Sequence, residues 1–220
     1  MKVAVLIITR GNRPELFENC LRMIRNQTRT PDHIEVVIDT PITEGCDITW
    51  RYKLGYDRLR NKGFDVILLI EDDDYYSPVY IETMLSEWGR FGKPNIFGTN
   101  YTIYYHIAKF AWFTYYHDIR SSAMSTMIRP DLNFEWCLNN DPFTDMHLWK
   151  VIKGITFEPI KHICLGIKHG TTMTGGKLHV DRLHRYTNQD PSKEFLRKNM
   201  DAESFEFYSE FIETIFKKKL

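Results

Sequence analysis

The chain reads as one α/β domain, and three features predict it. Apolar runs of strand length alternate with amphipathic helical segments through the first half. The length of 220 residues and the 43% hydrophobic content suit one sizeable core. No internal repeat or low-complexity linker divides the sequence.

Lys2 leads into the apolar run Val3 to Ile8, a first strand. Pro14 suits a first helical turn, and Leu16, Phe17, Cys20, Leu21 and Ile24 recur at helical spacing, so a helix runs from Pro14 to about Gln27. A second strand, Ile34 to Ile38, ends at Asp39. Thr40 to Thr49 reads as loop and Trp50 to Asn61 as a helix stopped by Lys62-Gly63. The buried-looking strand Phe64 to Ile70 then runs into Glu71-Asp72-Asp73-Asp74. This βαβαβ order predicts a parallel sheet with both faces covered. Pro78 to Phe91 reads as a helix and Asn95 to Thr99 as a short strand. Beyond it, the aromatic, partly alternating stretch Thr102 to Tyr116, the strand-like Ala123 to Arg129 and a helix from Met146 to Lys153 predict mixed strands continuing the same sheet. Ala202 to Leu220 reads as an amphipathic helix whose Lys217-Lys218-Lys219 favour a helix C-terminus.

Bulk properties narrow the function. Formal net charge is zero, so no whole-molecule field draws the protein onto nucleic acid or an anionic membrane; a polyanion site must be a local patch. The longest apolar runs fall far short of the roughly 20 residues that span a bilayer, and the N-terminal run lacks a small-residue cleavage site. No membrane span and a cytoplasmic location are expected. Cys20, Cys46, Cys137 and Cys164 lie far apart, which argues for reduced thiols rather than a zinc knuckle or disulfide framework.

In open α/β sheets ligands bind beyond the carboxyl ends of the strands, where Thr9-Arg10, Asp39 and Glu71 to Asp74 all fall. An acidic run by itself is a solvated turn. At the end of an apolar strand, four adjacent carboxylates repel one another, and a divalent cation is the natural compensating charge. Such a cation keeps positions open for diphosphate oxygens and acts as a Lewis acid on a leaving group. Arg51 and Lys53 are placed either to reach phosphate or as the solvated start of a helix. Asp145, just before an apolar helix, is a cap or a functional carboxylate. Gly166-Ile167-Lys168-His169-Gly170 and Gly175-Gly176-Lys177-Leu178-His179 let backbone approach a phosphate that Lys168 or Lys177 neutralises. His179 and His184 are weaker candidates.

Val5-Leu6-Ile7-Ile8-Thr9-Arg10, the helix from Pro14, Asp39 after the second strand, and Ile70-Glu71-Asp72-Asp73-Asp74-Tyr75-Tyr76-Ser77-Pro78 together resemble family 2 glycosyltransferases of the GT-A fold. The resemblance is close over roughly the first ninety residues and looser beyond. It implies a single GT-A-like domain over 1–220, with a Rossmann-like nucleotide-sugar-binding half (1–100) and an acceptor-binding, catalytic half (101–220). By the resemblance Thr9 and Arg10 contact the nucleotide, Asp39 bonds the base, Asp72 faces the ribose, and Asp73 matches the metal-binding carboxylate of a DxD-type motif, with Asp74 the neighbouring alternative. Here the first acidic position is Glu71 and the run is longer than usual, so the assignment within it is open by one place. The segment Asn140 to Trp149 resembles the one carrying the family's base, with Asp145 the first choice and Asp141 the reserve. His169 matches an additional metal ligand.

The resemblance implies an inverting transfer from a nucleoside-diphosphate sugar, dependent on Mn²⁺ or Mg²⁺. Gly166 to Gly170, Gly175-Gly176 and the compact length also resemble phage-encoded glycosyltransferases that modify hydroxymethylated pyrimidines in DNA, including those associated with TET-type oxygenases. Local basic residues between Lys161 and Arg185, with the aromatic stretch, suit a backbone and a flipped base. A glycan, lipid-linked or protein acceptor is the alternative. A nucleotidyltransferase also needs a carboxylate cluster at a strand end, but Thr9 to Arg13 holds one glycine where such enzymes carry a Gly-rich basic loop.

Overall fold

A computed structural model describes residues 1–41, 44–169 and 182–217. Its centre is a six-stranded sheet in the order β2-β1-β3-β8-β5-β9. Strands β1 (Val3–Ile8), β2 (His33–Val37) and β3 (Val66–Glu71) run parallel, with Ile8 in register with both Val37 and Glu71. β8 (Thr126–Ile128) is antiparallel to β3 and to β5 (Ile96–Thr99), which pairs parallel with β9 (Gly154–Phe157). The α/β class and the mixed sheet follow the sequence expectation.

Every residue of β1 is buried because successive side chains point to opposite faces and both faces are covered. Val3, Val5 and Ile7 join the cluster formed by α1 (Pro14–Arg25) and α3 (Tyr80–Arg90). Ala4, Leu6 and Ile8 face Tyr52, Tyr56 and Leu59 of α2 (Ile48–Leu59), and Leu148 and Trp149 of α4 (Thr144–Val151) join them. On the first face, α1 presents Leu16, Cys20, Leu21, Met23 and Ile24 to the sheet.

A second, five-stranded sheet, in the order β11-β7-β6-β10-β4, carries much of the aromatic content. The aromatic, partly alternating stretch, expected to continue the first sheet, instead forms a hairpin of β6 (Tyr101–His106) and β7 (Ala111–Tyr116) within this second sheet, because β6 pairs with β10 rather than with a strand of the first. β10 (Cys164–Lys168) pairs parallel with β6 and antiparallel with β4 (Tyr75–Tyr76), and β11 (Asn188–Gln189) borders β7. Two helices follow: the short α5 (Glu194–Asn199), which the sequence reading does not include, and the longer α6 (Ala202–Lys217), which begins where the amphipathic pattern places it. Among the described residues no helix is long and apolar enough to cross a membrane.

Candidate active site

The register of the parallel strands builds the site. Because Ile8 pairs with Val37 and with Glu71, the chain leaves β1, β2 and β3 at one edge of the sheet. Thr9 is buried there; its N–H donates to the Val37 carbonyl at 3.1 Å and its hydroxyl accepts from the Gly11 N–H at 3.1 Å. Gly11 has φ +71°, a left-handed turn that favours glycine. The turn brings Arg13 back across the acidic run, where it donates to Asp72 Oδ1 at 2.6 Å and to Asp73 Oδ2 at 2.5 Å.

The run itself is buried at Asp72, Asp73 and Asp74. One oxygen from each of Glu71, Asp73 and Asp74 lies within 4.8 Å of the others, a spacing that fits a hard divalent cation. His169 Nε2 lies 3.1 Å from Asp73 Oδ2. The Ile167 N–H donates to Asp74 Oδ1 at 2.8 Å, while Asp74 Oδ2 has no hydrogen-bond partner among the described residues. Lys168 Nζ stands 3.8 Å from Asp74 Oδ1 and 5.2 Å over the Tyr104 ring. Four neighbouring carboxylates thus meet two basic side chains, Arg13 and Lys168, so acidic groups outnumber basic ones.

The electrostatics carry the same imbalance. Burial, and then the charge of Asp73, pushes Asp72 up to about 6, against the pull of Arg13. Burial pushes Asp74 up to about 7, with Lys168 opposing and Asp73 adding. Burial and Asp74 raise Glu71 well above the usual carboxylate range. Asp73 goes the other way: burial opposes its charge, but the hydrogen bond from His169 and the Arg13 guanidinium hold it below the usual range. Burial works against the Lys168 charge, yet Asp74, Asp73 and Glu71 raise it above an ordinary lysine.

A cleft of about 350 Å³ opens beside the cluster. Glu71, Asp74 and Lys168 line it together with Asp145, Arg120, Tyr104 and Tyr115. Asp145 lies in the first turn of α4, whose N-cap is Phe143, so it is not the capping residue. Its carboxylate is paired with Arg120, and burial raises it above the usual range while Arg120 pulls it down. The local turn is made by Asp141, whose Oδ1 accepts the Phe143 N–H at 2.8 Å; Asp141 does not line the cleft.

The structure therefore brings Thr9, Asp72, Asp73, Asp74, His169, Lys168 and Asp145 to one region and leaves other candidates outside it. Arg10 pairs with Asp47 at 2.8 Å, beyond the end of β1. Arg51 is neither free for phosphate nor solvated: it is buried, bonded to Asp47 at 2.9 Å and to the Val37 carbonyl at 3.2 Å. Lys53 is exposed on a separate surface pocket with Arg60, Phe134 and Trp136. Asp39 is exposed and accepts from Arg58 at 2.9 Å, which holds it below the usual range. His184 is exposed in a short turn, Leu183–Arg185. Gly170, Gly175, Gly176, Lys177 and His179 lie outside the described residues.

Arg13 and Arg120 were not foreseen. Each lies in or at the end of a loop, with no spacing pattern to mark it. Glu71, the third carboxylate of the cluster, had a signal, since it is the last residue of β3 and the first of the acidic run. A scan against protein-family models gives no match, and no curated protein matches the sequence.

Proposed function

We propose that the protein is a metal-dependent glycosyltransferase that moves a sugar from a nucleoside-diphosphate sugar to an acceptor hydroxyl with inversion. The observation that carries the reading is the shared cleft: Glu71 and Asp74, two members of the three-carboxylate cluster completed by Asp73, line one space with the separate carboxylate of Asp145. The first suits a cation that supplies Lewis acidity toward a departing diphosphate. The second suits a base. Asp145 takes the acceptor's hydroxyl proton as that oxygen bonds to the anomeric carbon, and the bond from that carbon to the diphosphate breaks with its electrons leaving on the diphosphate. Arg120, paired with Asp145, opposes the burial that raises this acid above the usual carboxylate range. Lys168, buried beside Asp74, adds a fixed positive charge against the negative charge that develops.

For the acceptor we propose a 5-hydroxymethylated pyrimidine in DNA. Arg182 and Arg185 stand with Arg120 in the lining of the cleft, and Tyr104, Phe113 and Tyr115 give it aromatic surface, which together suit phosphates and an unstacked base. The test is mass spectrometry of a panel of nucleotide sugars incubated with Mn²⁺ and either hydroxymethylated DNA or glycan acceptors. A hexose-sized mass gain on the DNA supports the whole reading; a gain only on a glycan keeps the enzyme class and removes this acceptor. No transfer and no donor hydrolysis with any sugar would overturn the class.

A further inference from the structure

We propose that Arg13 is the exchangeable counter-ion of the acidic site: it clamps Asp72 and Asp73 until a divalent cation binds, and then cedes Asp73 to that cation. The inference rests on reading the acidic run as a metal site. Arg13 Nη1 holds Asp73 Oδ2 at 2.5 Å and stands 3.3 Å from His169 Nε2, while Nη2 holds Asp72 Oδ1 at 2.6 Å. Asp73 is also one of the three carboxylates whose oxygens gather within 4.8 Å. A cation entering there while the guanidinium stayed would place two positive centres against one carboxylate.

The two cations of the site differ in their freedom to leave. Lys168 belongs to β10, and its side chain is 7% exposed. Arg13 ends the loop between β1 and α1, its side chain is 20% exposed, and it makes no side-chain cap to the helix that follows. Movement of Arg13 needs only side-chain rotation toward solvent. Released beside the bound cation, its planar fork matches two oxygens of a diphosphate. Cation and diphosphate binding then become coupled, because each favours the Arg13 position that suits the other.

The test uses the full chain at pH 8 without donor. Arginine residues are labelled with butanedione with and without Mn²⁺, and peptide mass spectrometry reads Arg13; in parallel, Mn²⁺ affinity is measured by electron paramagnetic resonance for wild type, Arg13→Met and Arg13→Lys. Mn²⁺ should raise labelling of Arg13, and added pyrophosphate should lower it again. Arg13→Met should bind Mn²⁺ about tenfold more tightly than wild type, since no internal cation competes, a change of about 1.4 kcal/mol, with Arg13→Lys between them. Labelling that stays level or falls while Mn²⁺ binds overturns the proposal, as does a folded Arg13→Met variant of equal or weaker affinity. If Arg13→Met does not fold, labelling of the wild type decides alone. Absence of Mn²⁺ binding in wild type and variants alike marks failure of the metal reading itself, and the proposal goes with it.

Discussion

The Asp74 carboxylate accepts a 2.8 Å hydrogen bond from the backbone N–H of Ile167, so β10 holds the last member of an acidic run that β3 delivers. This contact fixes Oδ1 and leaves Oδ2 without a partner among the described residues. An asparagine keeps an acceptor for Ile167 and removes the charge. Asp74→Asn should therefore fold normally and lose its response to metal. In wild type, Mn²⁺ at about 100 times its Kd should stabilise the fold by about 2.7 kcal/mol. Thermal melts with and without Mn²⁺ read both, and a variant that still gains stability from Mn²⁺ would take Asp74 out of the ligand set.

The metal-free protein should lose stability as pH rises from 5 to 8. Asp72 is pushed up to about 6 and Asp74 to about 7, both mainly by burial. In that range the folded chain holds protons that the unfolded chain has released, so stability falls with pH. This contribution is complete below the ordinary carboxylate value and is lost as pH passes through the folded values. Asp73, held low, acts in the opposite sense but only in strong acid. Melting temperature across this range, compared with an Asp72→Asn/Asp74→Asn double variant, tests the point; equal slopes for the two proteins would count against it.

The fold's central layer was legible because its signals are local. Val3 to Ile8 and Val66 to Ile70 are continuous apolar runs, and the periodicity of Leu16 to Ile24 marks a helix face without reference to anything distant. Only the boundaries moved: α2 begins at Ile48 rather than Trp50, and β3 at Val66 rather than Phe64. The second sheet was less legible, since β4 and β11 are two-residue strands defined by their partners rather than by their own sequence. The same distinction holds at the site. The acidic run announces itself, and so does its place after a strand. Arg13 lies 59 residues before Asp72, and Arg120 lies 25 before Asp145; only the folded chain brings each pair together.

Gly55 should resist replacement even by alanine. In an exposed helix interior, glycine to alanine gains about 1 kcal/mol from backbone propensity. At Gly55 an added Cβ would lie 2.1 Å from Leu6 Cδ1 and 3.0 Å from Val37 Cγ2. Leu6 and Val37 are both fully buried and have little room to retreat. Overpacking of this kind costs about 1–3 kcal/mol, which exceeds the propensity gain. Gly55→Ala should lower the denaturant midpoint, and an increase would show that α2 can shift away from β1.

Asp145 and Arg120 should separate in a pH profile. Asp145→Asn keeps the shape of the side chain but removes the proton acceptor, so turnover should fall by about 10²–10⁴-fold, the usual contribution of a positioned base. The competing role is electrostatic: a carboxylate in the first turn of α4 favours the helix N-terminus by about 0.3–1 kcal/mol. In that case the substitution lowers the melting temperature and leaves turnover near wild type. Arg120 supplies the second readout, because it pulls down an acid that burial raises. Arg120→Gln removes that pull, so Asp145 holds its proton to higher pH and the acid limb of the rate profile should move upward. The shift should vanish in the Asp145→Asn background if the limb reports Asp145. A limb that stays in place in Arg120→Gln, together with normal turnover in Asp145→Asn, would end the candidacy of Asp145 as the base.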